Sequence, residues 1–236
     1  MTNAPSYPNA DLLVEPAWLA DRLTRPDIRV VDMGSYDAYA RAHIPGAVHP
    51  GPGDRLHYLK DDALLAVLPP DRFAAMMSRM GIGPRTLAIA YDADGGHTAA
   101  RLWWVLAHYG HAQVKLLNGG WNQWVAEKRP VAIEMPPPSA APCTPKLAPR
   151  LRCTLEQVKE HIGDADTVFL DVRSDAEWEG TDPRTNRRAG RLPGAVHIEW
   201  KQFVTDDSLR RFRPAAELRR ILQNAGVTPN KRVITY

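Results

Sequence analysis

Apolar and polar positions along the chain alternate between two rhythms. Short apolar runs of strand length, Ile28 to Met33, Leu87 to Tyr91 and Val114 to Leu117, are separated by stretches in which apolar residues recur every three or four positions. Pro16 to Leu23 puts Trp18, Leu19 and Leu23 on one helical face. Asp71 to Met80 does the same with Phe73, Met76, Met77 and Met80, and Thr98 to Tyr109 carries Trp103 and Trp104. Gly81 supplies the stop for the second of these helices, and the methionine stripe reads as core. Tyr36 to Ala42 predicts a brief helix. Ile44, Pro45 and Gly46 predict a turn, with proline presetting φ and glycine permitting positive φ, before a short strand from Ala47 to His49. Asn118, Gly119 and Gly120 turn the chain into a helix bearing Trp121 and Trp124. Strands that are apolar end to end, alternating with helices, imply a parallel sheet covered on both faces, so the predicted class is α/β.

The pattern occurs twice. Val30, Val31, Asp32, Met33 returns as Phe169, Leu170, Asp171, Val172. His43 to His49 (HIPGAVH) returns as Arg191 to His197 (RLPGAVH), and Gly81, Ile82, Gly83, Pro84 with Ala88 to Tyr91 returns as Gly226, Val227, Thr228, Pro229 with Val233 to Tyr236. Repeats of this length are domains, not short solenoid units. The offset between the copies widens between Asp171 and Arg191, which places an insertion there. It carries Arg184, Arg187 and Arg188. In the second copy Thr154 is a helix cap, Thr167 to Asp171 a strand, and Pro214 to Asn224 a helix.

A chain of 236 residues with 44% hydrophobic and 24% charged residues accommodates two such units. Between them Pro136, Pro137, Pro138, Pro142, Pro145 and Pro149 predict an extended, polyproline-type connection. The expected organisation is a flexible N-terminus over 1–10, a first domain over 11–130, a linker over 131–150 and a second domain over 151–236. No apolar run reaches the ~20 residues that span a bilayer. Met1 to Asn9 lacks the basic start and apolar core of a secretory signal, and two cysteines without an export signal predict a reducing cytoplasm. A formal charge of +3 is too small and too scattered to suggest nucleic acid, but it suits a small anionic substrate.

Candidate chemistry is sparse. Cys143 lies in the proline-rich segment and Cys153 just before a helix cap, so neither has the strand-then-loop setting of a nucleophile. His43, His49 and His197 recur at matching turn-and-strand positions, which predicts structural hydrogen bonding rather than metal ligation. His108 and His111 flank Gly110 at a helix end, a weaker metal reading.

Taken together, the paired Asp-ending strands, HIPGAVH at 43–49, RLPGAVH at 191–197, LNGGWNQW at 117–124 and DVRSDAEWEG at 171–180 resemble the tandem rhodanese-type sulfurtransferases from Leu12 to Tyr236. The resemblance implies two rhodanese-like domains, the second incomplete. In this family the first domain is usually catalytically silent, and the second carries a nucleophilic cysteine immediately after the strand that here ends at Tyr236. That cysteine would be residue 237. The implied reaction moves a sulfane sulfur from thiosulfate or 3-mercaptopyruvate to cyanide or a thiol through a cysteine persulfide, with no cofactor and no metal. No catalytic residue is then expected within the 236 positions. Asp92 occupies the degenerate active-site position of the first domain, where a carboxylate cannot carry sulfur. Arg173 and Arg184 are the candidates for holding the anionic donor. Arg184 resembles a substrate arginine of mercaptopyruvate-type members, and Glu177 stands where many members have another. The expected partners are a small anionic sulfur donor and a thiol or cyanide acceptor, without nucleic acid or membrane. A non-catalytic rhodanese-fold module binding an anion or partner is the alternative, and a phosphatase on the same fold would need a longer loop ending in a phosphate-binding arginine.

Overall fold

The computed structural model describes residues 7–52, 67–136, 140–148, 151–184 and 187–236. The chain divides into two compact units. One contains Asn9–Leu151 with Asp206–Arg211, and the other contains Tyr7 and Pro8 with Arg152–Thr205 and Phe212–Tyr236.

The first unit is built on four parallel strands, β1 (Leu13–Val14), β2 (Ile28–Asp32), β3 (Leu87–Tyr91) and β4 (Val114–Leu117), in the order β1-β4-β3-β2. The helices are α1 (Pro16–Ala20), α2 (Tyr36–Arg41), α3 (Pro70–Arg79), α4 (His97–His108) and α5 (Gly120–Ala126). The two-residue period of a strand sorts the core into two layers. Val31, Ala88 and Ala90 face Phe73, Met77, Leu102 and Leu106, whereas Val30, Ile89 and Tyr91 face Leu19, Tyr39, Ile44 and Trp124. Fully burying each large apolar side chain contributes ~1.5–3 kcal/mol, so both layers hold the sheet. The expected strand at 47–49 is reduced to a single bridge, Val31 to Val48. Central β3 pairs with β2 on one side and β4 on the other, and therefore delivers Asp92 to the middle of the sheet's C-terminal edge.

The second unit has three parallel strands, β5 (Thr167–Asp171), β6 (Val196–His197) and β7 (Arg232–Thr235), in the order β6-β5-β7. Thr154 and Ser174 form capping boxes on α6 (Leu155–Glu160) and α7 (Asp175–Glu179), and α8 (Ala215–Asn224) follows Pro214. Its core is smaller: Leu170, Ile198 and Val227, supported by Phe203, Ile221 and Leu222. Among the described residues β7 pairs only with β5, whereas its counterpart β3 is bonded on both sides, and Val233 is 40% exposed.

Within its described residues the proline-rich segment expected as a linker makes backbone hydrogen bonds to the first unit. Ala141 donates to the carbonyl of Ser78, Lys146 to that of Tyr109 and Ala148 to that of His108, while Cys143 packs against the core. Proline removes donors but leaves the intervening residues free to bond. At the N-terminus, Tyr7 donates its hydroxyl to the Arg213 carbonyl at 2.8 Å, and Tyr7 and Pro8 group with the second unit.

Candidate functional site

The polar residues collect where the strands end. At the tip of β2, Asp32 is buried and accepts from the Tyr91 hydroxyl at 2.5 Å and from the Gly34 amide at 2.7 Å. Tyr91 in turn accepts from the Ile44 amide, and His49 contacts the Gly34 carbonyl at 3.1 Å. Burial outweighs these neutral donors and raises the Asp32 carboxyl above its ordinary range. Burial, and then the neighbouring carboxylate, push the Tyr91 phenol well up and that of Tyr39 up to about 12. Burial also lowers His49, which keeps its ring neutral near pH 7. The histidines do structural work here. His43 is fully buried, stacks on Tyr39 at 4.2 Å and contacts the carbonyls of Tyr39 and Glu134.

Immediately after β3 the chain folds around Asp92. Its carboxylate accepts from the amides of Asp94, Gly96, Thr98 and Ala99 and from the Thr98 hydroxyl, at 2.8 to 2.9 Å. Gly95 and Gly96 adopt positive φ of 70° and 88°, a turn that brings successive N–H groups to one side at the head of α4. The Asn-Gly-Gly turn before α5 closes over the same loop. Trp121 donates to the Asp92 carbonyl at 2.9 Å and the Asn122 amide donates to the Ala93 carbonyl at 3.0 Å. A Cβ on Gly120 would lie 2.0 Å from the Asp92 carbonyl oxygen, so no side chain fits there.

The second unit repeats the frame and changes one member. Tyr236 accepts from the Leu192 amide at 3.0 Å as Tyr91 does from Ile44, and His197 contacts the Arg173 carbonyl at 2.9 Å as His49 does that of Gly34. Trp178 stacks on His197 in the place where Tyr39 stacks on His49. Asp171, however, is gripped by Arg173 through Nε at 2.9 Å and Nη2 at 2.6 Å, besides the Arg173 amide at 3.0 Å. Burial pushes the Asp171 carboxyl up, but the Arg173 side chain and amide and the Tyr236 hydroxyl prevail and hold it below the usual range. Where His43 stacks in the first unit, Arg191 lies over the Trp178 ring at 4.1 Å.

Of the arginines predicted to hold substrate, Arg184 pairs with Glu177, its Nε 3.4 Å from the carboxylate, whereas the Arg173 guanidinium is raised first by Asp171, with Tyr236 and Glu177 adding less. Arg173 spends Nε and Nη2 on Asp171 and on the Gly190 carbonyl, which leaves Nη1 without a partner among the described residues. Arg184 is mostly exposed and sits at a positive φ of 51°, fixed by its amide on the Asp182 carboxylate. Arg173 thus combines a structural grip with one free edge, a duality that charge counting does not show. The Tyr91 and Tyr236 bridges escaped the sequence reading, although each tyrosine closes an echoed strand. Cys143 and Cys153 are free thiols, and burial raises Cys143, the opposite of what a nucleophile needs. Among the described residues no cluster of three or more His, Cys, Asp or Glu could hold a metal ion, and no helix is long and apolar enough to cross a membrane.

Comparison with known proteins agrees with this duplicated frame. A family model for the rhodanese-like domain matches residues 15–127 and again 154–236. The chain is 32% identical to a thiosulfate sulfurtransferase of Pseudomonas aeruginosa over 98% of its own length and 83% of the relative's. It is 31% identical to the sulfur carrier protein TtuD of Thermus thermophilus, with the same two shares. Among solved structures it superposes on the 3-mercaptopyruvate sulfotransferase SseA from Escherichia coli with a TM-score of 0.83 at 24% identity, covering 95% of this chain and 87% of that one. Matched twice along its length and related end to end to proteins of this kind, the chain belongs to the rhodanese-like family as a tandem-domain sulfurtransferase.

Proposed function

We propose that the second unit takes a sulfane sulfur from thiosulfate or 3-mercaptopyruvate and passes it to cyanide or a thiol through a cysteine persulfide, with the nucleophile at position 237. The observation that carries this reading is the register of Tyr236 on Tyr91. Both phenols accept from the amide at the start of the Pro-Gly-Ala-Val turn and bridge to the strand-end aspartate. The residue that follows Tyr91 is the one wrapped by converging N–H groups. A thiol entering an equivalent loop would lose its proton readily and hold the sulfur as an anion.

The thiolate attacks the outer sulfur of thiosulfate. One S–S bond forms, the donor's S–S bond breaks, and sulfite leaves with the electron pair. The acceptor then removes the outer sulfur and regenerates the thiolate. In this scheme Arg173, oriented by Asp171, offers Nη1 to the donor's oxygens, and Arg184 adds a second, adjustable cation. The reading places the protein in a reducing compartment such as the cytoplasm, where a persulfide survives. The test is a thiosulfate-to-cyanide assay on a chain extended by the codons that follow Tyr236. Turnover that disappears on replacing the residue at 237 is the expected result. A residue other than cysteine there, or a folded extended chain without turnover, favours the non-catalytic anion- or partner-binding module.

A further inference from the structure

At the edge where β3 and β4 begin, the far end of the sheet from Asp92, the first unit encloses a cavity of about 260 Å³. Its apolar wall is Phe73, Ile82, Leu106 and Tyr109, each at most 5% exposed, with the Phe73 and Tyr109 rings stacked at 4.3 Å between centroids. The proline-rich stretch contributes Cys143, Thr144 and Lys146 to the lining. Two glycines let that stretch come close. A Cβ on Gly110, at a φ of 79°, would lie 2.6 Å from the Lys146 carbonyl oxygen, and one on Gly83 would lie 3.2 Å from that of Pro142. Backbone contact at two points therefore fixes where this side of the cavity lies.

The lining is one-sided in charge, for it contains no Asp or Glu. Lys146 is exposed and has no ion-pair partner among the described residues. His111 contacts the Gln113 carbonyl at 3.0 Å, and burial lowers its ring and keeps it neutral near pH 7. Size and chemistry select the ligand together. An apolar cavity of ~150 Å³ holds benzene, so this one has room for a ring and a short arm. A small hydrated dianion would give up its water against four apolar side chains in exchange for a single cation, which disfavours sulfate or thiosulfate here. A flat ring against the stacked pair, with one negative charge left at the rim, meets both halves of the lining.

The geometry points to a second ligand site in this protein, one that takes a small aromatic carboxylate with its ring on Phe73 and Tyr109 and its charge at Lys146. The site does not rest on the sulfur-transfer reading, since neither the Asp92 loop nor Arg173 nor Arg184 lines it. Its occupant touches α3, α4 and the proline-rich stretch at once, and so fastens that stretch to the first unit.

The experiment uses the 236-residue chain with phenylacetate as the probe and sodium chloride of equal ionic strength as the blank. Cys143 lines the cavity and Cys153 is an exposed thiol outside it, so alkylation by iodoacetamide, followed by peptide mass spectrometry, reads the site against an internal reference. A site with a millimolar Kd or tighter should slow Cys143 by the factor 1 + [L]/Kd, about threefold when the probe stands at twice its Kd, and leave Cys153 unchanged. Methyl NMR signals of Ile82 and Leu106 should shift over the same concentrations while that of Leu170 in the second unit stays in place. Lys146→Ala, at an exposed position, should weaken the probe by up to about fivefold, and neutral phenylacetamide should bind the unmodified chain as weakly as phenylacetate binds the variant. Unshifted Ile82 and Leu106 signals at millimolar probe, or equal slowing of the two cysteines, overturn the inference. So does a Lys146→Ala chain that binds the probe as tightly as the unmodified one. Neither readout involves sulfur transfer, so failure here leaves the proposal for position 237 standing, and failure of the extended chain leaves this site standing.

Discussion

In the first unit Asp32 is met by a phenol and an amide; in the second, Asp171 at the same place on its strand is met by a phenol, an amide and a guanidinium fork. The difference traces to one residue, Gly34 against Arg173, and it reverses the direction in which the carboxyl titrates. Burial without a cation favours the neutral acid, whereas burial with a bidentate cation favours the carboxylate. A duplicated frame can therefore keep its hydrogen-bond geometry while its electrostatics diverge. The diverged copy is the one whose arginine keeps Nη1 without a hydrogen-bond partner among the described residues.

The largest effect that would sharpen this contrast is expected at Asp92. Asp92→Ala leaves four amides and a hydroxyl without their acceptor and should destabilise the first unit by about 3–5 kcal/mol in urea unfolding. A loss below ~1 kcal/mol would mean that water replaces the carboxylate easily and that the cradle is not pre-formed. Arg173→Ala should cost the second unit roughly 2–4 kcal/mol, because it strands the buried Asp171, while Arg173→Lys recovers only part of it for want of the planar fork. Equal behaviour of the two variants would show that charge alone matters. Tyr91→Phe is expected to cost about 1–3 kcal/mol, more than Tyr236→Phe, since Asp171 keeps its arginine when the phenol goes and Asp32 has no such reserve. The reverse order would break the comparison.

The smallest effect is in titration. Asp171, held low, contributes stability that is present above the unfolded value of ~3.9 and lost as pH falls through its folded value. Asp32, held high, binds its proton more tightly when folded, so its contribution is present below that unfolded value and lost as pH rises through the folded one. Carboxyl carbon shifts followed by NMR during acidification should show Asp32 protonating before Asp171. Simultaneous protonation would remove the electrostatic distinction.

Much of the fold was legible because its signals are local. Apolar strand runs, helical spacing in Phe73, Met76 and Met77, and the Pro-Gly turns each act within a few residues, and the double occurrence of each run fixed the tandem architecture. The site was legible only as positions. Asp92 was marked as a residue unable to carry sulfur, but its five donors come from a loop geometry that two glycines permit and that no spacing announces. The pairing of Arg173 with Asp171, two residues away, lay within reach of a sequence argument. The bridge from Tyr91 to Asp32 did not, since it depends on parallel register between β2 and β3. The hydrogen bonds of the proline-rich stretch were hidden for a similar reason: proline content predicts extension, not the groups to which the segment bonds.

One feature of the first unit bears on how the chain matures. Its members Asp206–Arg211 are separated from the rest by a long run that belongs to the second unit, and Ser208 accepts from Asn122 at 2.9 Å beside the Asp92 loop. On the ribosome Leu151 is therefore made well before the piece that completes its unit. With roughly 60 residues still to be added at ~5–20 per second, the gap lasts about 3–12 s. Throughout that interval the carbonyl of Ala93 must hold Asn122 alone. A chain stalled before Asp206 thus carries a nascent first unit that is already sealed by its own sheet but unlatched beside the Asp92 loop.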